Sequence, residues 1–162
     1  MGQQPKEDLN EPETVGRKAK VLVFDQDMAD LARHSGSFEA YGFAVHKCTS
    51  VEKALRYVER KKVDLALIDL GSPALEGLRV FRHLVRYNPH VPCVVITRRG
   101  DLAGRREAFT MGAVECLEKP VSGTDIDWVV QKYLGSTVGH RGRLTRATEA
   151  QRVKNVKDGT NV

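Results

Sequence analysis

Apolar residues recur along this chain with two alternating periods. Short runs rich in β-branched residues, Val21 to Phe24, Phe43 to Val45, residues 64–69, residues 92–97 and residues 114–118, have the length of buried strands. Between them the spacing changes to three and four. Met28, Leu31, Ala32, Phe38 and Tyr41 form a helical stripe that Gly42 closes, and Val51, Ala54, Leu55 and Val58 form a second one behind Ser50 as N-cap. Lys53 occupies the capping-box position, where Glu is stronger, and Arg60-Lys61-Lys62 favours the C-terminal end. Leu75, Leu78, Val80, Phe81, Leu84 and Val85 give a third stripe, ended by Asn88-Pro89. A fourth helix is predicted over 101–111, stopping at Gly112. A fifth covers 123–134, with Ile126, Val129, Val130, Tyr133 and Leu134 facing the core. Five strand–helix units in strict alternation predict an α/β fold whose parallel sheet is covered on both faces, because right-handed crossovers put helices on either side.

Four of the strand runs end on a polar residue suited to phosphate chemistry. They are Asp25, Asp69, Thr97 and Lys119, the last followed by Pro120. In a parallel sheet these ends share one edge, which is where open α/β sheets bind ligands. Two carboxylates, a hydroxyl and an ammonium at that edge describe a metal-assisted phosphoryl site. Singly, each residue has a plainer role. A strand-end Asp often caps the next helix, Thr is an ordinary strand residue, and a lone Lys is commonly solvated. The set carries the reading.

Composition narrows the class. The 162 residues suffice for one ordinary domain with tails, and the net charge of +5 is unevenly placed. Residues 136–162 hold Arg141, Arg143, Arg146, Arg152, Lys154 and Lys157 against Glu149 and Asp158, so the body is near neutral and nucleic acid is not the expected partner. Residues 1–18 are polar and acidic and are expected to be a disordered arm; 136–162 is expected to be a disordered basic tail. Cys48, Cys93 and Cys116 show no paired spacing, and the five histidines show no ligand spacing, so neither a disulfide framework nor a zinc site is indicated. No apolar run has membrane-span length and the N-terminus is no signal peptide, which together predict a cytoplasmic protein.

With Asp25, the segment Asp69-Leu-Gly-Ser-Pro-Ala-Leu-Glu-Gly77, Thr97 and Lys119-Pro120 in this order, residues 19–135 resemble the receiver domain of two-component response regulators. The resemblance implies a flavodoxin-like, doubly wound five-stranded sheet of order 2-1-3-4-5. It implies that Asp69 is the phosphoacceptor, and that Asp25, Asp69 and the Gly71 carbonyl, with Gln26 as a further candidate, hold Mg²⁺. Thr97 and Lys119 would contact the phosphoryl group, and the bond before Pro120 would be cis. The chemistry agrees, since phosphoryl transfer needs positioning and charge neutralisation, and Mg²⁺ prefers oxygen ligands. The implied partners are a histidine kinase or phosphotransfer protein and a downstream protein. The chain would be a phosphoprotein rather than an enzyme. With no output domain expected in the tail, it would act as a stand-alone receiver.

Three positions depart from the family pattern. Gln26 stands where the second acid of the metal-binding pair is expected, which predicts weakened Mg²⁺ binding; Asp27 is one residue too late and, by strand alternation, points elsewhere. Arg98 replaces a small residue beside the phosphate, and Cys116 replaces the common aromatic switch residue. Together with Arg105 and Arg106 on the fourth helix these positions fall on the expected switch and partner face. They leave a second reading open, a phosphorylation-independent pseudo-receiver acting as a docking module. A flavodoxin-like enzyme or nucleotide binder ranks last, because no G-x-G-x-x-G or Walker loop follows the first strand.

Overall fold

A computed structural model describes residues 17–71 and 74–135. The expectations for the acidic arm, for Ser72-Pro73 and for the basic tail lie outside the described residues, apart from Arg17 and Lys18. The elements alternate strictly: β1 (Lys20–Phe24), α1 (Met28–Ala40), β2 (Ala44–Cys48), α2 (Val51–Arg60), β3 (Leu65–Asp69), α3 (Glu76–Tyr87), β4 (Cys93–Thr97), α4 (Leu102–Thr110), β5 (Glu115–Glu118) and α5 (Gly123–Leu134). The five strands form one parallel sheet of order β2-β1-β3-β4-β5, the flavodoxin-like order.

Side-chain alternation splits the core into two layers. Val21, Val23, Leu65, Leu67, Val94 and Ile96 pack against Leu31 and Phe38 of α1 and Ile126, Val129 and Val130 of α5. Leu22, Phe24, Ala66, Ile68, Cys93 and Val95 pack against α2, α3 and Ala108 of α4. Both faces of the central strands are therefore dry, as continuous apolar runs require.

The helices begin where side chains satisfy their free N–H groups. Asp27 accepts from the N–H groups of Ala29 and Asp30, and Ser50 accepts from that of Lys53. Asp101 accepts from Gly104, and Ser122 and Asp125 form a reciprocal capping box. Helix α3 has no side-chain cap. It starts from Leu75, the one non-glycine residue with positive φ (50°) among those described. Gly77 follows because a Cβ there would run into the backbone of Asp69 and Leu70.

Several expected core positions are corrected. On α1 the buried set is Leu31, His34, Ser35 and Phe38, so Ala32 is exposed and Met28 is 70% exposed. The helix is turned so that two polar residues, rather than two apolar ones, complete its inner stripe. Val85 also faces outward, and Leu75 precedes its helix. Strand β2 is longer than its three apolar residues predict, running to Cys48 through His46 and Lys47, because pairing with β1 continues to Phe24.

Candidate functional site

Strand parity explains which side chains meet. Asp25, Asp69 and Lys119 each lie two residues past an apolar residue of their strand that packs on the α1 and α5 face (Val23, Leu67 and Leu117), and so share its phase. They converge. Lys119 Nζ lies 2.6 Å from Asp69 Oδ2, 3.9 Å from Asp25 Oδ2 and 3.2 Å from Asp30 Oδ2. The bond between Lys119 and Pro120 is cis, and the Lys119 N–H donates to the Thr97 carbonyl at 2.8 Å, tying the β5 end to the β4 end.

The pocket floor is desolvated and its charges are strongly perturbed. Asp25 is buried, and its carboxyl is pushed up to about 7; burial is the main cause, opposed by the Asp27 N–H donating to Oδ1 at 2.8 Å, with the Asp69 charge adding to the rise. Its other oxygen, Oδ2, is buried without a hydrogen-bond partner. Burial would lower the Lys119 ammonium, but the Asp69 hydrogen bond and the charges of Asp69 and Asp25 outweigh it and raise the group. Asp69 is only 8% exposed, and its Oδ1 accepts from the Gly71 N–H at 3.1 Å.

Thr97 falls in the opposite phase, with Cys93 and Val95, and so meets Cys116 rather than the carboxylates. Its Oγ1 is 3.6 Å from the Cys116 sulfur. Both are buried, and burial raises the Cys116 thiol, with the Thr97 contact opposing. Arg98 is exposed, Arg105 reaches Glu118 at 3.6 Å and lies over the Phe109 ring, and Arg106 is exposed.

Gln26 bridges outward. Its Nε2 donates to Glu76 Oε2 at 2.6 Å, and its Oε1 sits over Gly71, 3.2 Å from the position a Cβ would take there. Gly71 needs both its missing Cβ and its positive φ of 69° for this approach. Its carbonyl accepts from the Leu75 N–H.

Sequence reasoning missed three participants. Asp30 shares Lys119 with the two strand-end carboxylates. It is a first-turn acid of α1, a position that ordinarily answers to its own helix N-terminus. Glu76 opens α3 as its first-turn acid. His34, one of the five histidines without ligand spacing, is buried with its Nδ1 at 3.9 Å from Asp25 Oδ2; burial is the first cause of its lowered pKa, and both ring nitrogens lack hydrogen-bond partners. Asp27 is displaced from the pocket as expected, and its position is accounted for by capping α1.

The donor set fits a hard divalent cation. Among the described residues no three His, Cys, Asp or Glu side chains group to hold a metal. A bound ion would draw on two carboxylates, Asp25 and Asp69, with the Gly71 carbonyl and the Gln26 amide oxygen as neutral donors. The unpartnered Asp25 oxygen is the observation that favours such a ligand.

A parallel 2-1-3-4-5 sheet with an acid–ammonium pocket at its C-terminal edge defines the receiver class of flavodoxin-like proteins. The response regulator receiver domain pattern matches residues 21–131, and the chain belongs to that family. It is 24% identical over 136 residues to the transcriptional regulatory protein ZraR of Klebsiella oxytoca, covering 84% of this chain and 31% of that regulator. It is 29% identical over 99 residues to the heme response regulator HssR of Staphylococcus epidermidis, covering 61% of this chain and 44% of that one. The chain thus spans less than half of these multidomain relatives. A CheY-like receiver from Methanospirillum hungatei JF-1 superposes with TM-score 0.68 at 22% identity, covering 74% of this chain and 96% of that one. A response regulator from Burkholderia pseudomallei, solved with a phosphorylated aspartic acid, calcium ion and citrate, gives TM-score 0.64 at 20% identity over 87% of this chain and 75% of that one. No helix among the described residues is long and apolar enough to cross a membrane.

Proposed function

We propose that this chain is a receiver whose Asp69 accepts a phosphoryl group from a histidine kinase or phosphotransfer protein, and that it signals by protein–protein contact. The observation that carries the reading is the Lys119 ammonium, held 2.6 Å from Asp69 and shared with Asp25. An Asp69 oxygen attacks phosphorus while the bond to the donor's imidazole nitrogen breaks. The product is an acyl phosphate, and water later returns it to carboxylate and inorganic phosphate. Lys119 neutralises phosphoryl charge, and the Thr97 hydroxyl donates to a phosphoryl oxygen after leaving the Cys116 sulfur. Asp25, Asp69, the Gly71 carbonyl and the Gln26 amide oxygen would hold Mg²⁺, which when bound spreads the developing negative charge. The phosphorylated aspartate and calcium ion in the Burkholderia pseudomallei regulator support the same roles here.

Output passes through the face of α4 and β5, with Arg105 and Arg106 on α4, Arg98 in the loop before it and Cys116 buried beneath, by a population shift between two arrangements. Without an aromatic ring at 116, the coupling runs through the Thr97–Cys116 contact. Intact-mass measurement after acetyl phosphate and Mg²⁺ treatment tests the proposal. One phosphoryl adduct on the wild type and none on Asp69→Ala is expected; no adduct from any donor overturns it.

A second reading has its own observation. Gln26 carries no charge and is tied to Glu76, so the pocket has one acid fewer than the family pattern. On this reading the chain is a constitutive docking module. An adduct that forms on Gln26→Asp but never on the wild type would establish it.

A further inference from the structure

Resting on the phosphoacceptor reading above, we infer that Glu76 is a positioning residue for the divalent cation. It makes Gln26 a neutral metal ligand by binding its amide nitrogen and leaving the amide oxygen for the cation.

A glutamine amide has two ends of opposite character, and only the oxygen serves a cation. Free in solvent, the Gln26 amide would present either end. Glu76 removes that freedom: a carboxylate accepts hydrogen bonds and cannot donate them, so it binds Nε2 alone, at 2.6 Å. The remaining end, Oε1, lies 3.2 Å from the position a Cβ of Gly71 would take, at the residue whose carbonyl belongs to the candidate donor set. Gly71 has no Cβ to push it away. The charge-assisted bond also polarises the amide toward its oxygen, the outer-layer effect by which carboxylates strengthen metal-bound histidines. Glu76 comes from the first turn of α3 and Gln26 from the loop after β1, so the bond spans the two elements flanking Asp69. No carboxylate need touch the ion beyond Asp25 and Asp69, consistent with the absence of a three-acid cluster among the described residues.

The test is Mn²⁺ and Mg²⁺ affinity of the full chain by calorimetry, without any phosphodonor, in three variants checked for folding by circular dichroism. Glu76→Ala removes the acceptor and is expected to weaken binding about tenfold. Glu76→Asp keeps the charge but shortens the reach, and is expected to lose nearly as much. Glu76→Gln keeps an acceptor at the same reach but can also donate to Oε1, and is expected to recover only part of the affinity. In a Gln26→Asp background, where the ligand carries its own charge, Glu76→Ala is expected to change affinity less than about twofold. A general charge effect gives the reverse order, with Glu76→Asp like wild type and Glu76→Gln like Glu76→Ala, and overturns the inference. So does wild-type affinity in all three variants, or a wild type that binds neither ion. Normal cation binding with no adduct on Asp69 sinks the proposed function while leaving this inference standing.

Discussion

Gly77 is where the start of α3 and the backbone of Asp69 are fixed by the same atoms. A Cβ at this position would overlap the Asp69 carbonyl oxygen, and it would come within 2.7 Å of Leu70 Cα and 2.8 Å of the Asp69 carbonyl carbon. All three are backbone atoms of the β3 end, held by ladder bonds, so no side chain can swing aside. Gly77→Ala must push the start of α3 away by on the order of 1 Å to reach ordinary contact. That movement also strains the Gly77 N–H bond to the Leu70 carbonyl, 2.9 Å long. Overpacking costs about 1–3 kcal/mol and a lost buried hydrogen bond about 1–3 kcal/mol, so a loss of about 2–6 kcal/mol is expected. Gly36 supplies the control. It lies inside α1 with nothing within 4 Å of a built Cβ, and Gly36→Ala should gain about 0.5–1 kcal/mol from helix propensity. Urea unfolding followed by far-ultraviolet circular dichroism reads both variants against wild type at equal slope. Gly77→Ala within about 0.5 kcal/mol of wild type would refute the claim that close approach, rather than sequence habit, places glycine here.

Other outcomes follow from the pocket and its supports. The Asp25 carboxyl titrates near 3.8 unfolded but is raised to about 7 in the fold, mainly by burial. The native state then holds its proton longer, so stability in EDTA falls as pH rises from about 4 to 7 and levels off above. Asp25→Asn should flatten that decline and be more stable at pH 8 by up to about 4 kcal/mol; parallel pH profiles for the two proteins would contradict this. Lys119→Met leaves Asp25, Asp30 and Asp69 without their shared cation. It should lower the melting temperature in EDTA at pH 8, with part of the loss recovered by millimolar Mg²⁺; an unchanged melting temperature counts against the electrostatic account. Tyr41→Phe removes the hydroxyl that donates to Asp127 at 2.7 Å, joining α1 to α5. A loss of about 1 kcal/mol in urea unfolding is expected, matched by Asp127→Ala and not additive with it.

Much of the site was legible because it depends on strand ends and parity. Asp25, Asp69 and Lys119 stop apolar runs in the same phase, so a parallel sheet alone brings them to one edge. The cis bond before Pro120 followed from the family resemblance rather than from any local signal. The helix cap at Ser50 is local in the same way, since a short hydroxyl side chain reaches only its own first turn. Asp30 and Glu76 were missed for the opposite reason. A first-turn acid ordinarily answers to its own helix N-terminus, and the sequence does not announce that Asp30 also reaches across to β5 or that Glu76 reaches a residue 50 positions earlier. The error on α1 has a similar origin. Leu31 and Phe38 define a stripe equally compatible with Ala32 or with His34 and Ser35, and only packing against β1 and α5 chose the polar pair.

The order of apolar runs and their periods determined the alternating fold, the sheet's ligand edge and the identity of the residues gathered there, because those follow from short-range stereochemistry and strand parity. Tertiary structure alone decided that one ammonium serves three carboxylates, that Thr97 faces sulfur and that Gln26 is oriented by Glu76. Each of these depends on distances between distant segments of the chain, and no local pattern encodes them.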